Sequence, residues 1–311
     1  MIKNAKRLLV VSDDHPDGDS LGSSCAMLAW VIREGKTVRA FCLNPIPISS
    51  HYLDHIHHFT NDRSVMNETF DAILTFDSSE LKKTGLEEKK KMLDPKTCPI
   101  IVFDHHATTQ PFGHINIILR DACATAEIVY RFFETNQVRV DAAMATSLLA
   151  GLVFDTSYFS NSGTTMRAVE AAGKLVAYGA RQLDVLEHSV KNKSIPLLRL
   201  WGLALARLTH HARLNLIYTY FLQKDVQDIP GGVEAIEGMS NFLHAVCAGA
   251  DSILVLKELP DGKVNGSFRS INMDISKLAK LLGGGGHKKA AGFAIPGKLV
   301  EKDGKVTISS L

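Results

Sequence analysis

The sequence lacks an excess of charge of either sign. Its 311 residues contain 35 lysine and arginine residues against 33 aspartate and glutamate residues, which gives a formal net charge of +2. A protein that coats long nucleic acids needs surplus positive charge, because phosphate contacts dominate that kind of binding. The composition therefore argues against a protein of that kind. A short or small anionic substrate remains compatible with this charge balance.

Cysteine is scarce, and no two cysteines have the close spacing of a zinc site or a disulfide framework. The five residues are Cys25, Cys42, Cys98, Cys123 and Cys247. Each lies in an apolar stretch of sequence. We therefore expect reduced thiols that are mostly buried.

Long hydrophobic runs are absent as well. The longest apolar stretch, from Ala142 to Phe154, is too short to span a bilayer and predicts a buried helix. The first residues do not resemble a signal peptide, because a brief apolar run soon gives way to acidic residues. We expect a cytoplasmic protein without membrane contact. With 311 residues, of which 45% are hydrophobic, the chain is long enough for two domains with separate cores.

Strand-like and helical patterns alternate through the first half of the chain. The strand-like segments are 7–12, 38–42, 72–76 and 100–103, and the helical segments are 20–34, 125–135 and 141–154. This alternation is typical of parallel sheets, because each crossover between parallel strands needs a helix. We predict an α/β fold whose N-terminal parallel sheet carries helices on both faces.

The second half changes pattern twice. Segments 165–178, 182–190 and 196–211 are almost wholly helical. Strand-like segments then recur at 216–221, 253–258 and 264–268, with helical segments at 232–247 and 274–282. We predict a first domain at 1–190, a helical connector at 191–213 and a smaller mixed α/β domain at 214–311.

Acidic and imidazole side chains follow strand-like segments at three points. The first segment runs into residues 12–19, the second ends at Asp77, and the third ends at Asp104-His105-His106. Taken alone, Asp77 is best explained as the N-cap of a following helix. Together with Asp155, however, so many carboxylates at one sheet edge would repel one another without a cation. The joint pattern predicts a metal centre.

Asp17 and Asp19 flank Gly18, and this spacing lets two carboxylates point into one site. Hard divalent cations prefer oxygen ligands, and an imidazole such as that of His105 shifts the preference toward manganese or a related transition metal. Zinc is less favoured, because these motifs contain no cysteine thiolate that could bind it. The ligands suffice for two ions, which would bind a phosphoryl group and generate a hydroxide. The predicted reaction is hydrolysis of a phosphoester or phosphoanhydride.

Four consecutive glycines, 283–286, precede His287, Lys288 and Lys289. Such a run can be a helix C-cap followed by a flexible loop. The basic residues favour instead a loop whose backbone N–H groups approach phosphate oxygens, with Arg269 adding a bidentate contact. The predicted substrate-binding residues are Arg269, Ser270, Gly284, Gly285, Gly286 and His287.

Other conspicuous residues are better explained by solvent exposure or packing. Four histidines lie in a polar segment between two strands without an acidic strand end, so a second metal site is not expected there; they are His51, His55, His57 and His58. His210 and His211 are predicted at the surface of the connector. Trp30 and Trp201 lie in apolar helical patterns and are predicted in the core.

These motifs, taken in order, resemble the DHH phosphoesterase superfamily with its DHH-associated C-terminal domain. They are Pro16-Asp17-Gly18-Asp19-Ser20-Leu21-Gly22, Asp77-Ser78-Ser79, Asp104-His105-His106, Asp155 and Gly284-Gly285-Gly286-His287-Lys288-Lys289-Ala290-Ala291-Gly292. The resemblance covers nearly the whole chain. It implies two manganese ions per chain, a C-terminal domain that grips the terminal phosphate of the substrate, and a homodimer.

The resemblance also implies roles for single residues. Asp17 and Asp77 would hold one ion, Asp77 would bridge to the second, and Asp104 would orient the histidines. The implied metal ligands are Asp13, Asp17, Asp19, Asp77, His105 and Asp155. The implied catalytic residues are Asp19, Asp77, Asp104, His105 and His106, with His106 facing the substrate or supporting the ligands.

One position departs from the family pattern. The superfamily usually has a histidine four residues before the first aspartate of its D-x-D motif, and this chain has Asp13 there. An aspartate can still bind a metal, although its charge favours a harder ion. His15, two residues further on, is a partial substitute.

The two-domain length resembles the nanoRNases, which degrade oligonucleotides of a few residues and often dephosphorylate 3′-phosphoadenosine 5′-phosphate. Hydrolysis of cyclic di-AMP or linear di-adenylate is an alternative within the same chemistry. Long single-strand exonucleases normally carry further domains, and family II pyrophosphatases fit the Gly-rich loop less well. A function of a different class also stays open. Asp13 could mark a degenerate metal centre in a protein that binds nucleotides and catalyses no reaction. The expected ligands are short single-stranded oligonucleotides or small nucleotides.

Overall fold

The chain divides into two compact units, Met1–Asn192 and Lys193–Leu311. A computed structural model describes residues 1–161, 163–189, 194–227, 229, 236, 238–247, 249–270, 272–286, 288–302 and 305–309. Within those ranges, no helix combines the length and the apolar character that crossing a bilayer requires. Each unit is built on its own six-stranded sheet.

The sheet of the first unit is parallel throughout. Its strands are β1 (Arg7–Val11), β2 (Thr37–Phe41), β3 (Phe59–Thr60), β4 (Ala72–Phe76), β5 (Ile100–Asp104) and β6 (Ile115–Ile118). They lie in the order β3-β2-β1-β4-β5-β6, and every pairing is parallel. The chain builds outward from β1 to β3 and then returns to the other side of β1. This reversal opens a crevice at the carboxyl ends of β1 and β4, which is where open α/β sheets bind ligands.

Helices cover both faces of this sheet, as predicted. They are α1 (Gly18–Arg33), α2 (Leu81–Thr84), α3 (Glu87–Lys91), α4 (Thr125–Thr135), α5 (Ala142–Asp155), α6 (Met166–Ala177) and α7 (Gln182–Ser189). Alternate residues of a strand point to opposite faces. Accordingly, Leu8 and Val10 of β1 join the large core under α1, α4 and α5, whereas Leu9 and Val11 join the smaller core near α2 and α3. The central strands are apolar on both faces for this reason.

Helices α1 and α5 approach so closely that their backbones touch. A Cβ atom at Gly22 of α1 would lie 2.3 Å from the carbonyl oxygen of Ser147 and 3.0 Å from the backbone nitrogen of Gly151, both on α5. No side chain fits in that space. Because α1 begins within the D-x-D motif and α5 ends at Asp155, this contact fixes the distance between the two acidic segments.

The second unit contains a mixed sheet, also as predicted. Its strands are β7 (Thr209–His211), β8 (Leu216–Phe221), β9 (Ser252–Glu258), β10 (Lys263–Ser270), β11 (Gly285–Gly286) and β12 (Ala290–Pro296). They lie in the order β11-β12-β10-β9-β8-β7. Strands β8 and β9 are parallel, and the other pairs are antiparallel. Strands β13 (Lys298–Lys302) and β14 (Lys305–Ser309) form a separate hairpin.

The helices of the second unit are α8 (Ile195–Ala206), α9 (Gln223–Val226), α10 (Met239–Val246) and α11 (Ser276–Leu281). Trp201 of α8 is buried in the core beneath α8 and α10. In the first unit Trp30 is buried as well. Both tryptophans therefore occupy the core positions predicted for them.

The predicted secondary structure was incomplete and in places wrong. Strands β11, β12, β13 and β14 were not predicted. Strands β3 and β6 were not predicted, because they are short and only half-buried. The helix expected over 196–211 ends at Ala206. Residues 209–211 instead form β7, which pairs with β8, so His210 and His211 belong to a sheet edge.

The contact between α1 and α5 predicts a large cost for Gly22→Ala. The added methyl group must displace the α5 backbone, which typically costs about 1–3 kcal/mol of unfolding free energy. Gly173→Ala on α6 is the matched control, because a Cβ there meets nothing within 4 Å and alanine favours a helix by about 0.5–1 kcal/mol. Urea denaturation of both variants measures the difference, and equal stability of the two proteins would contradict the described packing.

Candidate metal centre

Asp17 and Asp19 are positioned by the start of α1. Asp17 is its N-cap, and Asp17 Oδ1 accepts the backbone N–H groups of Asp19 at 3.0 Å and Ser20 at 2.9 Å. Gly18 lies against Phe154, because a Cβ at Gly18 would be 2.7 Å from the Cβ of Phe154. The glycine between the two aspartates therefore lets the motif approach the residue before Asp155.

Asp19 is fully buried and is held by the N-terminus of α4. Its Oδ2 accepts the backbone N–H of Thr125 at 2.6 Å, and its Oδ1 accepts that of Ala126 at 2.8 Å. The first turn of a helix carries unpaired N–H groups and a partial positive charge. Helix α4 therefore orients this carboxylate and offsets part of its charge.

Asp77 follows β4 in a left-handed backbone conformation, with φ at +60°. Its N–H donates to the Phe103 carbonyl at 2.9 Å, and its Oδ1 accepts the hydroxyl of Thr125 at 2.9 Å. Glu80 occupies the N-cap position of α2, so the N-cap interpretation of Asp77 was wrong. Strained backbone that tertiary contacts maintain is common at functional sites.

The Asp104-His105-His106 motif emerges at the end of β5. Asp104 Oδ1 lies 2.7 Å from His106 Nδ1 and accepts the His106 backbone N–H at 3.1 Å. The hydroxyl of Thr109 donates to the other carboxylate oxygen. Burial acts to raise the pKa of Asp104, but these hydrogen bonds, above all from His106, lower it overall. The Asp104 carboxylate is therefore in contact with the His106 ring and backbone, and its role as an orienting residue stays a prediction.

His105 is the meeting point of three aspartates. Its Nε2 lies 3.0 Å from Asp155 Oδ2, 3.5 Å from Asp77 Oδ1 and 4.0 Å from Asp19 Oδ2. Its Nδ1 lies 3.4 Å from the Ala122 carbonyl. That contact directs Nε2 toward the carboxylates, as in many imidazoles that bind metals.

The cluster is short of positive charge. Burial, and then the nearby Asp155, raise the pKa of Asp17 to about 6 and that of Asp19 to about 8. Burial and then Asp19 raise the pKa of Asp77 well above its ordinary value. Burial lowers the pKa of His105, but Asp155 and the other carboxylates raise it to about 9. These carboxylates lie so close together that they would share protons in the absence of a cation.

The donor set fits a divalent cation. Asp19, His105 and Asp155 offer ligand atoms within 4.8 Å of one another, as do Asp77, His105 and His106. Ligands bound at about 2.1 Å around one ion stand about 3–4 Å apart, which is close to the separations seen around His105 Nε2. Asp155 also ends α5, where the helix dipole disfavours an anion unless a cation is near. Four predicted ligands thus converge.

The two remaining predicted ligands are placed differently. The charge of Asp17 helps to raise the pKa of Asp77. Asp17 nevertheless belongs to neither of these two ligand groups. Asp13 is buried and forms another group, with Asp14 and His15. Asp13 Oδ2 has no hydrogen-bond partner and lies 3.6 Å from the ammonium of Lys83. No three-ligand group among the described residues joins Asp13 to Asp77.

The residues predicted to bind phosphate lie in the second unit. Gly285 and Gly286 form β11, and a Cβ at Gly284 would lie 2.0 Å from the Gly292 carbonyl oxygen, so close packing requires glycine there. Arg269 Nε donates to Asn241 Oδ1 at 2.6 Å. The hydroxyl of buried Ser270 donates to the Asp251 carbonyl at 2.8 Å. His287 lies outside the described residues, and the binding role of the whole set stays a prediction.

Thr125 and Thr109 were not predicted as site residues. Each donates its hydroxyl to a buried carboxylate, Thr125 to Asp77 and Thr109 to Asp104. Thr125 is the first residue of α4, a position at which sequence patterns indicate only a helix start. Lys83 was missed too, because nothing in the sequence pairs it with Asp13.

Comparison with known proteins assigns the family. The model of the DHH family, N-terminal domain, matches residues 7–152, and the model of the DHHA1 domain matches residues 234–306. The chain belongs to the DHH superfamily. All three strand-end motifs of the centre lie within the matched DHH segment, and Asp155 lies three residues beyond its end.

Curated relatives of this DHH protein carry enzyme names. It is 25% identical over 288 residues to the bifunctional oligoribonuclease and PAP phosphatase NrnA of Thermus thermophilus, a match that covers 91% of this chain and 82% of that protein. It is 29% identical over 197 residues to the cyclic-di-AMP phosphodiesterase GdpP of Geobacillus thermodenitrificans, covering 60% of this chain and 28% of that protein.

A solved structure shows the same fold. The crystal structure of an exopolyphosphatase-related protein from Bacteroides fragilis matches with a TM-score of 0.86 at 21% identity, covering 96% of this chain and 89% of that chain. The α/β architecture of this DHH protein is therefore shared along nearly its whole length.

The donor set around His105 predicts that a divalent cation stabilises the protein through Asp155, and manganese is the probe. A ligand at 100 times its dissociation constant adds about 2.7 kcal/mol of unfolding free energy, so Mn²⁺ should raise the melting temperature of the native chain by several degrees. Asp155→Asn should lose most of that rise, because the amide removes one ligand charge. Glu88→Gln, at an exposed surface ion pair, is the matched control and should keep it. A full manganese response in Asp155→Asn would exclude Asp155 as a ligand.

Proposed function

We propose that this chain is a metal-dependent phosphoesterase that hydrolyses short oligonucleotides to mononucleotides and dephosphorylates 3′-phosphoadenosine 5′-phosphate. The observation that carries the proposal is the convergence of three carboxylates on His105 Nε2, at 3.0, 3.5 and 4.0 Å. The relative from Thermus thermophilus, matched over 91% of this chain, bears a name with both of these activities.

The proposed metal is manganese, with two ions per chain. Asp19, Asp77, His105 and Asp155 would hold one ion, and Asp17 and Asp77 would hold the other, with Asp13 as a further ligand. When bound, such ions supply a Lewis acid for the phosphoryl oxygens and lower the pKa of a water molecule. Mixed oxygen and nitrogen ligands favour manganese over magnesium.

The chain's own residues would complete the reaction. In each cycle one water gives up a proton as its oxygen forms a bond to phosphorus, the ester P–O bond breaks, and the leaving oxygen takes up that proton. The Asp104 carboxylate, 2.7 Å from His106 Nδ1, would hold that ring beside the centre. Thr125 fixes the Asp77 carboxylate against rotation through its hydroxyl. Arg269, Ser270, Gly284, Gly285, Gly286 and His287 are the proposed phosphate contacts.

Hydrolysis of cyclic di-AMP or linear di-adenylate is the second candidate. Its support is the 29% identity to a cyclic-di-AMP phosphodiesterase, which is confined to 60% of this chain. The first candidate is favoured because its relative matches along nearly the full length. A catalytically degenerate nucleotide-binding protein, the alternative that Asp13 raised, would bind these compounds and release no product.

A substrate panel with manganese tests these candidates. We expect the purified chain to release mononucleotides from di- to tetranucleotide RNA, and phosphate from 3′-phosphoadenosine 5′-phosphate, faster than it cleaves cyclic di-AMP or pyrophosphate. Chelation of the metal should abolish all of these activities. Tight binding without turnover under every divalent metal would rule out the enzyme and favour the degenerate protein.

Asp77→Asn is the sharpest variant for this activity. Asparagine tolerates the left-handed backbone at position 77 and can still accept the Thr125 hydroxyl, so the fold should survive. Loss of the charge should reduce kcat roughly 10³-fold, since several kcal/mol of transition-state stabilisation disappear. Glu88→Gln should keep native kcat. Native turnover by Asp77→Asn, measured at saturating manganese, would remove Asp77 from the catalytic centre.

A further inference from the structure

A cavity of about 680 Å³ lies at the carboxyl edge of β2 and β3. Asn44 follows β2 and Asn61 follows β3 at this edge, and rings of His55, His57 and Phe59 also line the cavity. Its volume is typical of sites for small organic ligands. Aromatic rings beside two side-chain amides form the kind of lining that stacks a nucleobase and hydrogen-bonds its edge.

Three imidazoles lie close together at the cavity, and one of them is exposed. The ring centroids of His57 and His58 are 4.4 Å apart, and His55 lies 5.7 Å from His58 and 6.3 Å from His57. His57 is exposed. Within the described ranges no three-ligand metal group includes these histidines, so an aromatic contact is the better use for the exposed ring of His57. Every nucleobase has a π face that can stack on an aromatic side chain such as that of His57.

His55 shows two signs of a built site. Its backbone is left-handed, with φ at +68°, which is uncommon for a residue with a side chain. Its Nδ1 is buried without a hydrogen-bond partner. Burial lowers the pKa of His55, although the charge of nearby Asp54 acts to raise it, and burial followed by His57 lowers the pKa of His58. Both rings are therefore neutral at pH 7, as stacking on a neutral base favours.

The cavity wall is attached to the loop that carries the acidic motif. The Asn44 side-chain amide donates to the Asp14 carbonyl at 2.5 Å, and the Cys42 thiol donates to the Asp13 carbonyl at 3.3 Å. Two strand spacings, about 10 Å, separate β2 from β4, which ends at Asp77. That is the scale on which a phosphate and the base of its nucleotide are separated.

From these observations we propose that the cavity at the ends of β2 and β3 is a nucleobase subsite, in which a base of the substrate stacks on the face of His57 and meets the side-chain amides of Asn44 and Asn61. The proposal rests on the proposed function, because it assigns a place to the base of a nucleotide whose phosphate lies at the metal centre. It also gives the substrate class: phosphoesters that carry a nucleobase.

Kinetics on a dinucleotide and on its abasic analogue test the subsite. His57→Ala should raise the KM of the dinucleotide at least about fivefold, as loss of one base–aromatic stack does, and should leave kcat unchanged. Its effect on the abasic analogue should be much smaller, since no base is present to stack. His57→Phe keeps a ring and should restore the native KM, which a role of the imidazole in the fold would not allow.

His211→Ala is the matched control. His211 is exposed on β7, at the opposite edge of the second sheet from β11, and its loss should change neither KM nor kcat. An unchanged dinucleotide KM in His57→Ala, or an equal rise for the dinucleotide and the abasic analogue, would overturn the subsite.

A binding measurement separates failure of the subsite from failure of the proposed function. The fluorescence of 2-aminopurine riboside 5′-monophosphate falls when its base stacks on a ring. We expect this quenching with the native chain and with His57→Phe, and not with His57→Ala. Quenching without hydrolysis of any substrate would support the subsite and contradict the proposed enzymatic function. Hydrolysis with identical quenching in all three proteins would support the enzymatic function and contradict the subsite.

Discussion

The crowding of buried carboxylates between β1 and β4 is the constraint on which the rest of the first unit depends. Asp19 and Asp77 are both nine-tenths buried or more, and the carboxylate of Asp155 lies within reach of His105. Burying several like charges is costly unless positive partners surround them. The fold supplies two such partners in the N-terminus of α4 and in His105, and the remaining deficit is what a divalent cation would offset.

The positions of those charges depend on glycine rather than on charged side chains. Gly22 lets α1 touch α5, and Gly18 lets the D-x-D motif lie against Phe154, the residue before Asp155. These contacts bring carboxylates close together although they repel one another. The packing of the helices therefore sets the distances between the carboxylates. A site that is rigid before a metal arrives loses little freedom on binding it.

The sequence was sufficient to predict the first sheet, because parallel strands buried on both faces are nearly continuous apolar runs. It was also sufficient to predict that Asp19, Asp77, His105 and Asp155 converge, since they follow buried elements whose ends share one edge. It was not sufficient for Thr125, whose hydroxyl bonds to a residue 48 positions away. Strand β3, with two residues, carries too little pattern to be recognised, and β7 was hidden by the apolar helix before it.

The carboxyl edge of the first sheet has two chemically different parts, and this difference bears on what it binds. Around β1, β4 and β5 the edge is acidic and suits a cation with a phosphate. Around β2 and β3 it carries imidazoles, a phenylalanine and two amides, which suit an uncharged aromatic ring better than an inorganic phosphate. Pyrophosphate would use the acidic part alone. A nucleotide has a charged end and an uncharged aromatic end joined by a sugar, so it can occupy both parts at once, and each part then discriminates against compounds that lack the matching end.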